Sequence, residues 1–223
     1  MHLRLATLPA LLCGLLVGWS PAGGQDPTPE LGSAEQILAQ ARGHHDSQVR
    51  RDLYELVEER AVRVLEADPD DLDARWWLIA ARGLRVDEES ARTRVRLARE
   101  VHEDAERILA VDSLHPGAHH ALARIHAGIM RLNPVVRFVA VRLVGESTLR
   151  EASWEDAEWH IAQASSREPD ALVHHFERAR MLQSQARHDE AHEVLDTLLA
   201  LPDRRPMDPV VRERALQLRK ELP

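Results

Sequence analysis

The sequence predicts an all-α protein, with antiparallel helix hairpins stacked as an α-solenoid and closed by a C-terminal capping helix. Three observations lead to it. Apolar residues recur at helical spacing through most of the 223-residue chain, and aromatics are only 4 %, too few for a sandwich or barrel. Two stretches, SWEDAEWHIAQASSREPD (153–170) and HDEAHEVLDTLLALPD (188–203), carry an alanine, aliphatic residues and a closing proline in nearly the same relation. Their alanines, Ala157 and Ala191, stand thirty-four residues apart.

The chain opens with a basic start (Met1 to Arg4), an apolar run from Leu5 to Trp19 and the small-residue group Ser20-Pro21-Ala22. That layout predicts a secretory signal peptide over 1–22, cleaved near Ala22 or Gly24. The apolar run is shorter than the roughly 20 residues a membrane-spanning helix needs. Cys13, the single cysteine, lies inside it. Leu12 before it is too large for a lipoprotein signal, so Cys13 reads as one more apolar residue. The exported chain then has no thiol, and its core alone must hold it together. Residues 23–32, GGQDPTPELG, are a linker in which prolines and glycines stop any helix.

From Ser33 the folded region begins, with Ser33 and Gln36 placed as a capping box. The spacing predicts helices over 33–42 and 47–67, the latter ended by ADPDD. Asp70 or Asp71 then caps a helix carrying Trp76 and Trp77. A long charged helix follows over 88–110, and Pro116 opens another to about Leu132. Asn133-Pro134 restarts the chain as cap plus first-turn proline. The segment VVRFVAVRLVG (135–145) is rich in β-branched residues, but Arg137 and Arg142 break any strict alternation, and it reads as a buried helix. Asp208-Pro209 opens the capping helix, 208–222.

A 34-residue period with small residues where helix axes approach, large apolar residues behind them and a closing proline is the tetratricopeptide pattern. A single such hairpin cannot bury its apolar face, so copies stack. The signature residues are Gly145, Ala157, Ile161, Ala164 and Pro169, then Ala179, Ala191, Leu195, Leu198 and Pro202. Looser copies are Val57, Ala61, Val64 with Pro69, and Val101, Ala105 with Ile108, where Ser113 replaces the proline. The units fall at about 33–71, 72–115, 116–137 plus 138–171, and 172–205.

HPGAHHALARIHAGIMRLNP, the apolar run to Gly145, ASWEDAEWHIAQA and LLALPDRRPMDPVVRERALQL together resemble the regulator of microtubule dynamics family, most closely its bacterial tetratricopeptide relatives. The resemblance covers residues 115 to 222, with Leu201-Pro202 and Asp208-Pro209 at matching places. The loop near 145–153 is shorter than in many members. The resemblance implies a helical repeat scaffold and no catalytic residues. Microtubule binding is not expected of a chain that a signal peptide sends out of the cytosol.

Charge and motifs narrow the function. The net charge is −8 with signs interspersed, and every basic residue but Lys220 is arginine. No clustered basic surface for nucleic acid is visible. There is no P-loop, no G-x-G-x-x-G and no G-x-S-x-G, so the expectation is a protein that is not an enzyme and takes no cofactor. Thirteen histidines raise the question of a metal. His115, His119 and His126 are candidates, since His115 and His119 share a helix face at i, i+4. H-E-x-x-H is absent, however, and ordinary packing or capping is the stronger reading. For a partner protein or peptide, Trp76, Trp77, His120, Arg124, Arg142 and Arg180 are the groove candidates. The three arginines recur at similar places on successive first helices and suit carboxylates, which guanidinium binds bidentately. The expected role is thus an exported, periplasmic or secreted, interaction scaffold without an integral membrane segment. Two alternatives accompany it: an envelope structural protein self-associating through helix 88–110 as a homo-oligomer, and a metal- or small-ligand-binding protein using the histidines around His119.

Overall fold

The computed structural model describes residues 34–133 and 152–223. Every regular element among them is helical: α1 Ala34–Gly43, α2 Ser47–Ala67, α3 Leu72–Arg85, α4 Ala91–Val111, α5 Pro116–Met130, α6 Trp154–Arg167, α7 Leu172–Ser184, α8 His188–Ala200 and α9 Asp208–Glu221. The expected signal peptide, linker and capping box, and the segment 135–145 with Arg142 and Gly145, lie outside the described residues.

Short polar side chains set the helix starts. Asp46 accepts from the amides of Gln48 (2.7 Å) and Val49 (3.4 Å), and Asp71 from that of Ala74 (2.7 Å). Ser153 accepts from the Asp156 amide at 3.0 Å. Each satisfies donors that a helix leaves open in its first turn. Two starts differ from expectation. The charged helix begins at Ala91 and not at residue 88, because a short 3-10 turn, Val86–Glu88, continues α3 and Ser90 makes the cap. Asp208 is the first residue inside α9 and not its cap. Its fully buried carboxylate turns back and accepts from the amides of Arg204 and Arg205, both at 2.8 Å, which fixes the preceding loop.

Consecutive helices pair as α1/α2, α3/α4, α5/α6 and α7/α8, with α9 on α7 and α8. α5 and α6 are antiparallel although residues 131–153 separate them. His119, near the start of α5, meets His160, and His126, two turns on, stands near Asp156. α5 is therefore the first helix of a hairpin whose second is α6. Ala157, Ala164, Ala179 and Ala191 are fully buried, as are Ile161, Leu195 and Leu198. Small residues at the close approaches let the aliphatic layer behind them fill, and burying each large side chain contributes roughly 1.5–3 kcal/mol. Pro169 and Pro202 stand exposed in the turns.

The first helices of the hairpins also touch in sequence: α1 meets α3, α3 meets α5, α5 meets α7 and α7 meets α9. α9 then returns to α1, closing these five into an inner ring. Met207 joins the core of α1–α3 to that of α7–α9, and a methyl of Val210 comes within 3.6 Å of the Cβ position at Gly43. A solenoid usually stays open. Here the last helix docks against the first, so the inner face is no open groove for a helix about 10 Å across.

Candidate functional site

The inner ring gathers arginines. Arg42 comes from the last turn of α1, Arg124 from α5, Arg131 from just past its end, Arg180 from α7 and Arg214 from α9. They lie near enough to act on one another. Arg124 is deeply enclosed, and that burial lowers its affinity for its proton, opposed by Glu177 and reinforced by Arg42 and Arg180. Arg214 is exposed at its surface, but crowding by the surrounding chain, then Arg42 and Arg180, hold it down to about 10. Among the described residues, the carboxylates this group bonds are Asp87 and Glu177, and Glu88 acts on Arg42 through space. Asp87 accepts from Arg42 at 3.2 Å; burial alone would raise its carboxyl, but Arg124 and Arg42 pull it below its ordinary value. Glu177, almost wholly buried, is clamped by Arg131 at 3.1 Å and Arg180 at 3.0 Å.

Two guanidiniums are left without a carboxylate among the described residues. Among the described residues, Arg124 donates to the Gly83 carbonyl, at 3.3 Å, and to no carboxylate. Arg214 lies over the ring of Phe176, 5.9 Å from its centroid, and is open to solvent. A cavity of about 510 Å³ opens beside it between the α1–α2 turn and α9, lined by Arg42, His44, Arg50, Arg214 and Lys220 among others.

The imbalance is local. Between α2, α3 and α4, five arginines meet five carboxylates. Arg75 pairs with Asp104 at 2.9 Å, Arg82 with Glu58, Glu100 and Asp104 at 3.4–3.6 Å, and Arg85 with Glu58 at 2.9 Å and with Glu55 and Glu89. Arg96 and Arg107 reach Glu100 and Asp104 from the solvent side. An arginine-rich composition alone would leave both regions alike.

Of the other candidates from sequence, His120 lies close enough to feel Arg124 and Arg180, and the rest are placed elsewhere. Trp76 and Trp77 serve packing on opposite sides of α3 and are not offered to the inner ring. Trp77 fills the layer between α3 and the α1/α2 hairpin, while Trp76 packs against α4 and α5. Gly117 is required there, since a Cβ would sit 2.7 Å from the Trp76 ring. His115 caps α5, its Nδ1 accepting from the Ala118 amide at 3.1 Å. His119 spends both ring nitrogens within the chain, Nδ1 on His160 at 2.9 Å and Nε2 on the Ser113 carbonyl at 3.1 Å. His120 and His174 share a similar contact of 3.0 Å. Burial, with His119 and His126 adding to it, holds His160 down to about 4, and burial likewise lowers His126. In such a contact one ring nitrogen must donate and the other accept. No group of three or more potential ligands among the described residues is arranged to hold a metal ion.

Of the sequence-predicted arginines, Arg124 and Arg180 thus meet on one face, and Arg42, Arg131 and Arg214 join them unforeseen. Their only sequence signal is a position on a first helix or just past its end, which many surface arginines share. The contact of α9 with α1 that brings Arg42 and Arg214 together leaves no local trace.

The whole described chain fits one family pattern. The pattern described as Regulator of microtubule dynamics protein 1-3 matches residues 32–223. The chain belongs to this family. The match extends well upstream of the 115–222 likeness legible in the motifs, and takes in α1 to α4. No curated protein matches the chain significantly. Among the described residues, no helix of this family member is long and apolar enough to cross a membrane.

Proposed function

We propose that this member of the family is an exported, non-enzymatic, tetratricopeptide-like scaffold that holds a protein or peptide partner. The observation that carries the reading is the excess of guanidinium on the inner ring, five arginines bonding two carboxylates among the described residues, in a protein whose net charge is −8. Like charges gathered by folding destabilise the fold unless something of opposite charge relieves them. A partner carrying carboxylates does so, and guanidinium recognises them bidentately. Closure of the ring by α9 favours an extended segment over a helix as the part that enters. The metal-binding alternative loses support where His119 has both nitrogens engaged within the chain.

The test is in-cell crosslinking and pull-down of the wild type beside an Arg124→Glu/Arg180→Glu variant with wild-type helical circular dichroism. A partner held by the wild type and lost by the variant is the expected outcome. Equal capture by both would move the binding surface to the outer helices. No partner in either would leave self-association as the better reading.

A further inference from the structure

We infer that the inner ring and the cavity at its α1–α9 mouth form one binding track for an extended acidic peptide segment, with Arg124 and Arg214 meeting its carboxylates. The inference rests on the scaffold reading and names the chemistry and residues of that site. Its argument has three parts.

The ring already shows how it holds a carboxylate. Glu177 sits between Arg131 and Arg180 with one oxygen to each, and Asp87 is taken by Arg42. Arg124 and Arg214 are the guanidiniums of the same face whose own carboxylate is missing among the described residues. An anionic group supplied from outside would give them the charge-assisted bonds the others have.

The basic groups form a line and not a point. Lys220, Arg50 and Arg42 border the mouth, where Glu88 already holds Arg50 and Glu213 also lines the wall; Arg214 is common to the mouth and the ring, and Arg124 and Arg180 lie within. A single small anion would use one spot on such a line, whereas a chain carrying several carboxylates uses its length. At about 510 Å³, the mouth falls within the roughly 300–1,000 Å³ of ligand-holding sites.

The enclosure matches the task. Arg124 is half-buried within the ring. Electrostatic attraction is stronger in such a place than on an open surface, because less water screens it. The outer lattice of α2–α4, rich in arginine but neutralised by its own carboxylates, offers no comparable attraction.

The experiment uses the folded chain and fluorescein-labelled hexaglutamate, read by anisotropy. Wild type is expected to bind it, with affinity falling as salt rises. Arg124→Gln/Arg214→Gln is expected to weaken binding by about tenfold or more, as lost charge-assisted contacts require. Arg99→Gln/Arg107→Gln, on the outer α4, is expected to leave it unchanged. If the Gln pair fails to fold, Arg124→Lys/Arg214→Lys serves instead. It keeps the charge but loses the planar fork, so it should bind several-fold more weakly. Absence of binding, equal loss in the α4 variant or no loss in either inner pair overturns the site. Inorganic phosphate binding as tightly as hexaglutamate at matched ionic strength overturns the peptide assignment in favour of a small-anion site. The two readings fail separately: a partner pulled down equally by wild type and inner-ring variants sinks this site but not the scaffold. Hexaglutamate binding with no partner in the cell sinks the scaffold but not the site.

Discussion

The α2–α3–α4 lattice and the inner ring hold equal numbers of arginines and treat them oppositely. In the lattice every guanidinium meets carboxylates of its own chain, and five balance five. In the ring Arg42, Arg131 and Arg180 bond two carboxylates, and Arg124 and Arg214 bond none among the described residues. The lattice is therefore complete without a partner. The ring is a place where the folded chain keeps unrelieved charge. A buried pair contributes little net stability but costs much when broken, whereas removing one of several crowded like charges relieves the fold. The contrast is thus open to measurement.

The largest effect should come from breaking the lattice. Arg85 is buried, and Arg85→Leu leaves Glu58, whose carboxyl burial already raises against the pull of Arg85 and Arg82, with the longer 3.6 Å contact to Arg82. A loss of roughly 3 kcal/mol is expected, seen as a lower midpoint in urea at unchanged slope. A midpoint within error of wild type would mean that the lattice is surface decoration.

Next is acid, which probes a third way of burying polar groups. Unlike arginines, the histidines between α5 and α6 can lose their charge. His160 is held down to about 4 from an ordinary 6.5, first by burial and then by His119 and His126, with Asp156 opposing and His102 assisting. Its folded state therefore binds fewer protons than its unfolded state. The stability this gives is complete above pH 6.5 and is lost as pH falls towards 4, on the order of 2–3 kcal/mol. Thermal melts across that range should show the loss, and His160→Gln should flatten it. A wild-type midpoint that stays level from pH 6.5 to 4 would refute the assignment.

Smaller still is Glu177→Gln, which removes one of the ring's two negative charges but keeps a hydrogen-bonding group for Arg131 and Arg180. A loss of about 1–2 kcal/mol is expected, and added sulfate should restore part of it. The smallest effect has the opposite sign. Arg214→Met keeps the contact with Phe176 and removes an unpaired charge, so it should stabilise by about 0.5 kcal/mol. Sulfate should then help the variant less than the wild type. If Arg214→Met destabilises as Arg85→Leu does, the two regions are not different in kind.

Much of the fold was legible because its signals are local. Alanine and leucine spacing, aspartate and serine caps and turn prolines each act within a turn or two of helix, and they marked α2, α3, α6 and α8 closely. Asp208 misled because Asp-Pro is written alike whether the carboxylate caps the helix ahead or ties the loop behind. Trp76 and Trp77, being adjacent, had to point apart, but the sequence does not say what each side of α3 packs against. By itself, the sequence determined the helices, the repeat that makes them stack and the family. Only the tertiary structure decided that α9 closes on α1, that five arginines on or beside the inner helices share one face, and that the lattice is paired where the ring is not. The physical reason is range. Helix and hairpin follow from contacts within one repeat, whereas ring closure and charge balance depend on small rotations accumulated over all the repeats.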